Sequence, residues 1–286
     1  MRRIGFVGAG PVGTAFGVSL SQQNYEVTAV HDLNRAAAER FARAVPGCEV
    51  CGTSQELADK AELVFITTPD DVIPKVAAQV GWHTGQAVIH CSGACSTDIL
   101  EPARQQGAMV GSIHPCQTFA SIEQAVDNLP GSTFAVQADE PLLSTLKEFS
   151  AALNGSWVYL TADDKALYHA AAAIACNYVY TVVKLAVDLW QHFGKSTTEA
   201  TEAYLPLLRG TVNNIGRVGF PGCLTGPIAR GDLDTIRRHL EALATRAPSH
   251  LQLYKALGVA TVPIALEKGT IDRSTADSLR ELLGPD

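Results

Sequence analysis

The sequence predicts an α/β protein: a doubly wound, mostly parallel sheet followed by an all-helical C-terminal domain. Three observations carry this reading. Short apolar runs alternate with amphipathic helical segments through the first half. A glycine-rich turn joins the first apolar run to the first helix. Near Thr161 the strand signals stop, and helical periodicity continues to the C-terminus. At 286 residues the chain exceeds what one core usually holds, so two domains are expected, 1–161 and 162–286.

The elements follow in order. Arg3–Val7 reads as a strand entering Gly8-Ala9-Gly10-Pro11-Val12-Gly13, then a helix to about Gln23. Glu26–His31 is the next strand and Arg35–Ala44 a helix. Further strands fit Glu49–Cys51, Leu63–Thr67, Ala87–Cys91, Met109–Ile113, Thr133–Gln137 and Trp157–Leu160, with Leu142–Ala152 among the helices between them. Thr161-Ala162-Asp163-Asp164 offers capping chemistry for one helical stretch running to about Phe193 and ending at Gly194. That stretch is apolar nearly all round, yet His169, Asn177 and several tyrosines interrupt it. A buried helix of a bundle or homodimer is expected there, not a membrane span. Helices over Thr198–Val218, Asp232–Arg246, Pro248–Lys268 and Ser274–Leu283 complete the chain.

Composition narrows the function. Apolar residues make up 47% and charged residues 18%, which excludes a disordered chain. A net charge of −7 argues against nucleic-acid and membrane partners. The acidic excess lies in the first half: residues 1–162 hold 9 Lys/Arg against 16 Asp/Glu, while 163–286 hold 13 of each. Met1-Arg2-Arg3 and the uncharged run behind it superficially resemble a secretory signal, but the glycines break an apolar helical region. The seven cysteines form no tight framework, as in a reduced, cytoplasmic protein. Cys48-x2-Cys51 and Cys91-x3-Cys95 lack a matching His/Cys knuckle, so no metal is expected.

The glycine motif carries the first specific chemistry. Gly8 makes a tight turn, Gly10 lets backbone approach a pyrophosphate, and Gly13 lets helix pack on strand. The helix N-terminus then offers free N–H groups to phosphate. Ala9, Pro11 and Val12 complete this Rossmann-type turn, and Thr68-Pro69 follows the fourth strand where the cofactor passes. Asp32 ends the second strand, placed to accept from ribose hydroxyls and to repel a 2′-phosphate. Arg35 is either a phosphate grip or an exposed charge at a helix start. NAD or NADP is implied, with Asp32 leaning to NAD.

Substrate would lie beyond the C-terminal strand ends. Ser92-Gly93 and His114-Pro115 close two strands, and Lys165, His169 and Asn177 lie on the long helix. Reducing a carbonyl by hydride needs a proton donor near the oxygen, and Lys165, His169, His114 and Ser92 are all chemically able. Gly93 and Asn177 are further substrate contacts. In the turn-rich loop Leu224–Asp232, Thr225 and Arg230 are candidates to meet a carboxylate, so a small anionic substrate is expected.

Together, Gly8–Gly13, His90-Cys91-Ser92-Gly93-Ala94, Gly111–Phe119, Lys165-x2-Tyr168-His169 and Leu224–Asp232 resemble Rossmann-like proteins with the C-terminal domain of unknown function 2520. That group is similar to the 6-phosphogluconate dehydrogenase-like superfamily, with ketopantoate reductases and β-hydroxyacid dehydrogenases as relatives. The resemblance implies an NAD(P)-dependent oxidoreductase with a helical second domain, often dimeric. Lys165 matches the relatives' helix lysine by position, but Asn177 is too distant to copy their Lys–Asn spacing. Asp32 stands where the group usually has a small polar residue. Prephenate dehydrogenases also resemble the chain at Ser92 and His114-Pro115. Three functions are therefore carried forward: reduction of a ketopantoate-like 2-oxo acid, prephenate- or arogenate-type dehydrogenation, and nicotinamide-dependent redox sensing without turnover.

Overall fold

The computed structural model describes residues 2–284. Eight strands form one sheet: β1 (Ile4–Val7), β2 (Val27–His31), β3 (Glu49–Val50), β4 (Leu63–Ile66), β5 (Ala87–His90), β6 (Met109–Pro115), β7 (Thr133–Ala138) and β8 (Ser156–Tyr159). Between them run α1 (Pro11–Gln22), α2 (Arg35–Ala44), α3 (Ser54–Lys60), α4 (Ile73–Gln79), α5 (Glu101–Gln105), α6 (Ile122–Asn128) and α7 (Leu142–Ala152). The strand order is β3-β2-β1-β4-β5-β6-β7-β8. Every neighbouring pair is parallel except β6 and β7. The chain winds from β1 outward through β2 and β3, then returns to β4 on the other side of β1. That reversal opens a crevice between the ends of β1 and β4.

β1, β4 and β5 are buried at every position, because helices cover both faces of a parallel sheet. On one face Phe6 stacks on Phe65 at 4.8 Å and meets Phe41 at 5.4 Å. On the other, Leu57, Ile66, Ile73 and Trp82 form a second core. Each such side chain contributes roughly 1.5–3 kcal/mol of burial. Gly17 is required on α1 because a Cβ there would meet the Phe41 ring. The two cores pack both faces of the central β1–β4 pair, and the site is built at the carboxyl ends of these central strands.

After β8 come α8 (Asp164–Ala175), α9 (Asn177–Leu189), α10 (Thr197–Val218), α11 (Leu233–Arg246), α12 (Pro248–Lys268) and α13 (Arg273–Leu283). Compact packing divides the chain into 2–177 and 178–284 among the described residues, so α8 belongs with the sheet. The composition shift at Thr161 marks the change of secondary structure; the packing boundary lies one helix later. The long helical stretch is also broken. Cys176 leaves helical geometry at φ −122°, ψ −69°, which separates α8 from α9. The expectation of a buried helix fails for the single chain: Leu167, Ile174, Tyr178 and Tyr180 are all exposed. Length and composition alone would let Asp164–Phe193 cross a membrane.

The second unit has its own core, with Ile236, Val262, Leu279 and Leu283 buried between α11, α12 and α13. α10, α11 and α13 begin where side chains cap them. Ser196 and Glu199 form a reciprocal capping box on α10, and Asp232 accepts from Thr235 N–H at the start of α11.

Candidate active site

The first part of the site is the crevice above β1, β2 and β4. Gly8 adopts φ +108°, and a Cβ there would lie 2.8 Å from the Thr67 carbonyl carbon. A Cβ on Gly13 would collide with the Gly8 carbonyl and with Thr67 Oγ1. Thr67 Oγ1 donates to the Gly8 carbonyl at 2.8 Å, tying the end of β4 to the turn. Gly10, by contrast, has open space where a side chain would be. It also precedes α1 without any side-chain cap, and Pro11 fills the first helical turn. The first N–H groups of α1 therefore remain available to an anion.

The crevice holds a cavity of about 510 Å³ lined by Gly10, Asp32, Leu33, Thr68, Pro69 and Lys75, among others. Thr68 Oγ1 is buried there without a hydrogen-bond partner. A buried hydroxyl left unpaired is costly, and a polar ligand in the cavity would satisfy it. The volume, the glycine turn and the uncapped helix end fit a dinucleotide. Asp32 differs from its expected role. Its Oδ2 accepts from Ala9 N–H at 2.8 Å and its Oδ1 from Asn34 N–H at 2.7 Å. A carboxylate already bonded through both oxygens to backbone is a weaker reason to prefer NAD. Arg35 is exposed and pairs with Glu39 at 3.0 Å.

The second part lies at the ends of β5 and β6, where α8 crosses. Residues two apart on a strand face the same side and span about 6.6 Å, and residues three apart on a helix share a face about 4.5 Å apart along its axis. Ser112 and His114 on β6 therefore meet Lys165 and Tyr168 on α8 in register. Lys165 Nζ donates to Ser112 Oγ at 2.7 Å, and the Tyr168 hydroxyl lies 2.9 Å from His114 Nδ1. Lys165 is only 1% exposed. Burial lowers its pKa to about 8, although Cys91, Cys95 and Asp70 act in the opposite direction. Burial, with Lys165 and His169 beside it, lowers His114 to about 4. His90 is brought to about 3 by burial and then by Lys165. Its Nδ1 accepts from Ser92 N–H, so Nε2 donates to the Ser96 carbonyl, as in a satisfied core histidine.

Ser92 is fully engaged. Its hydroxyl donates to Asp70 Oδ2 at 2.8 Å and accepts from the N–H groups of Ala94 and Cys95. It shapes the loop and anchors Asp70, and its proton is not free for a substrate while that bond holds. Gly93 lies against two imidazoles: a Cβ there would sit 2.8 Å from His114 Nε2 and 2.7 Å from His169 Cδ2. His169 is exposed, where an apolar helix suggests burial, and its ring lies 6.0 Å from that of His114.

The structure thus gathers Ser92, Gly93, His114, Lys165 and His169. Asn177 is exposed beyond the helix break and makes none of these contacts. Thr225 and Arg230 belong to the second unit, both exposed, with Arg230 Nη2 3.7 Å from Asp232. Three partners had no place among the predicted site residues. Ser112 is two residues from His114 on one strand face, Tyr168 is three after Lys165, and Asp70 follows Thr68-Pro69. Those spacings were available signals.

No curated protein sequence matches the chain. A candidate NADP oxidoreductase from Bacteroides fragilis has the same fold at 22% identity, covering 92% of this chain and 98% of its own, with a TM-score of 0.73. A Thermotoga maritima protein is 24% identical over 97% of this chain and 99% of its own, with a TM-score of 0.68. A reductive aminase from Aspergillus terreus, solved with NADPH and ethyl-5-oxohexanoate, is 16% identical over 99% and 92%, with a TM-score of 0.62. Family models match a Rossmann-like domain at residues 1–115 and the domain of unknown function DUF2520 at 132–261. The chain is a Rossmann-like protein with a C-terminal DUF2520 domain.

Proposed function

We propose that the protein is an NAD(P)-dependent oxidoreductase that reduces a small 2-oxo acid, ketopantoate-like in class, to its hydroxy acid. One observation carries the reading. The loop Thr68-Pro69-Asp70 lines the dinucleotide crevice at one end and bonds Ser92 beside Lys165 at the other. Cofactor crevice and proton donor therefore share one sheet edge. The bound nicotinamide would supply the hydride. Lys165 Nζ, oriented by Ser112, would give a proton to the substrate oxygen, and a pKa near 8 suits that task at neutral pH. His114 would hold the substrate, and Ser92 would act through Asp70. Both NAD and NADP remain in this reading, since Asp32 is committed to the turn, and of the similar proteins named above one is a candidate NADP oxidoreductase and another was solved with NADPH.

A second reading, reduction of a C=N bond, is favoured by Asp70, a carboxylate that would suit a cationic iminium. It is supported too by the reductive aminase fold likeness. The test is a panel of 2-oxo acids, cyclic imines and prephenate, followed at the nicotinamide absorbance with both cofactors. Turnover of 2-oxo acids is expected. Turnover of imines alone, of prephenate alone, or cofactor binding without any turnover would each overturn the leading reading. An Asp32→Ser variant with an unchanged NADH/NADPH ratio would remove the preference for NAD.

We also place the protein in the cytoplasm as a homodimer, with no nucleic-acid or membrane partner. Tyr178, Leu207, Val212 and Val218 are each 60% exposed or more on α9 and α10, apolar surface that a second copy would cover. Lys184 and Asp188 pair on α9 at 2.6 Å, which favours a protein partner over lipid. Sedimentation at twice the chain mass is expected; a monomer at micromolar concentration would overturn it.

A further inference from the structure

We propose that Tyr168 is a positioning residue: its phenol donates to Nδ1 of His114, so that the proton sits on Nε2, on the side of Gly93 and His169, where it would meet an oxygen of the substrate. This rests on the oxidoreductase reading only for the identity of that oxygen.

The geometry leaves His114 little freedom. It sits near the end of β6, largely buried, with Nδ1 2.9 Å from the Tyr168 hydroxyl. The two rings meet edge to face, 5.6 Å between centroids at 86°. The opposite edge of the imidazole packs against Gly93, where a Cβ would lie 2.8 Å from Nε2 and 2.7 Å from Cδ2 of the exposed His169 ring. A neutral imidazole has one donor and one acceptor nitrogen, and the partner of one decides the state of the other. Lys165, His169 and His90 surround His114 and oppose a second proton. Tyr168 stays a phenol because burial, with Cys116 close by, raises its pKa. A phenol is the stronger hydrogen-bond donor of the pair, so Nδ1 accepts and the proton resides on Nε2.

A neutral N–H donor of this kind recognises a carbonyl or carboxylate oxygen and repels a cationic iminium. The arrangement also divides the labour at the site. Lys165 can move a proton, while His114, held neutral, only donates a hydrogen bond.

The test needs neither substrate nor cofactor. Long-range proton–nitrogen correlation spectra of ¹⁵N-histidine-labelled protein show which ring nitrogen carries the proton, and His114→Gln identifies the signal. A single Nε2–H tautomer is expected for His114 at neutral pH. In Tyr168→Phe, which keeps the ring, a tautomer mixture is expected together with a higher His114 pKa, because the bond that favours the neutral form is gone. A wild-type His114 protonated at Nδ1, or a Tyr168→Phe spectrum and titration identical to wild type, would overturn the inference. Were Tyr168→Phe not to fold, the wild-type tautomer alone would decide. Failure of the substrate panel would instead overturn the function and leave this result standing.

Discussion

The crevice above β1 and the polar cluster beneath α8 lie along one sheet edge, yet they are built from different material. The crevice is a backbone site. Its working parts are the Gly8 turn, the uncapped start of α1 and the Ala9 N–H that Asp32 holds. The cluster is a side-chain site: Lys165, His114 and Tyr168 make contacts between residues more than 50 positions apart. The first would hold an anion mainly on backbone N–H groups, with Lys75 among the residues lining its cavity. The other buries a cation without a salt-bridged carboxylate, at a cost in stability. Breaking each should therefore leave a different signature.

The largest effect is expected at Lys165. Lys165→Met should lower turnover by about 10²–10⁴-fold on whichever panel substrate is found. It should also stabilise the fold. The native pKa of about 8 lies below the usual lysine value of 10.5, so the native state disfavours the charge by roughly 3 kcal/mol at neutral pH. In wild type, stability should accordingly rise as pH climbs from about 8 to 10.5, where the unfolded chain still binds the proton. Urea unfolding of wild type and Lys165→Met across that range checks the sign. A variant that is less active and less stable would mean that Lys165 serves packing, not chemistry.

The histidines give the acid counterpart. His114 and His90 have native pKa values lowered to about 4 and about 3, against 6.5 when unfolded. Their neutral burial costs nothing above pH 6.5. As pH falls below 6.5 the unfolded state takes up protons first, and stability drains until the native values are reached. The loss amounts to a few kcal/mol per group. Replacing His114 by Gln should flatten part of the slope between pH 6.5 and 4; an unchanged slope would contradict its neutral state.

In the crevice the expected effect is smaller and of another kind. Gly8→Ala forces a Cβ to 2.8 Å from the Thr67 carbonyl carbon at φ +108°. About 1–3 kcal/mol of strain should follow. Cofactor affinity should drop more than tenfold, with the Lys165 pH dependence of stability unaltered. Calorimetric titration with NADH and NADPH, beside the same unfolding series, would separate the two sites. Tight binding by Gly8→Ala would show that the turn does not cradle phosphate.

The same difference explains what the sequence reveals. A glycine turn is local: strand, Gly8-Ala9-Gly10, helix and Asp32 all fall within about thirty residues, and sterics fix their geometry. The central strands were legible for a similar reason, since a buried parallel strand such as Leu63–Ile66 is apolar throughout. The cluster required knowing that α8 crosses β6, which no local pattern encodes. Lys165 and His114 were legible as chemistry, but Ser112 and Tyr168 gain meaning only once strand and helix are in register. Ser92 shows the converse. Its residue type suggested a substrate contact, and its three hydrogen bonds consign it to the loop. The break at Cys176 had no sequence signal at all, because Ala175-Cys176-Asn177 contains neither glycine nor proline.

Asp70 directly follows Thr68-Pro69 of the crevice and bonds within the cluster, so it offers the finest test of how separate the two sites are. Its carboxylate holds the Ser92 hydroxyl, and its charge favours the protonated form of Lys165. Asp70→Asn keeps an oxygen to accept from Ser92 and removes only the charge. Lys165 should then lose its proton more easily, and the alkaline limb of activity, expected near pH 8, should move down by a fraction of a unit. Cofactor affinity should change little, since Asp70 itself does not line the cavity. A shifted limb with unchanged affinity would mean that the two sites share a loop and little else. A large loss of cofactor binding would instead make Asp70 the link through which cofactor binding sets the proton affinity of Lys165.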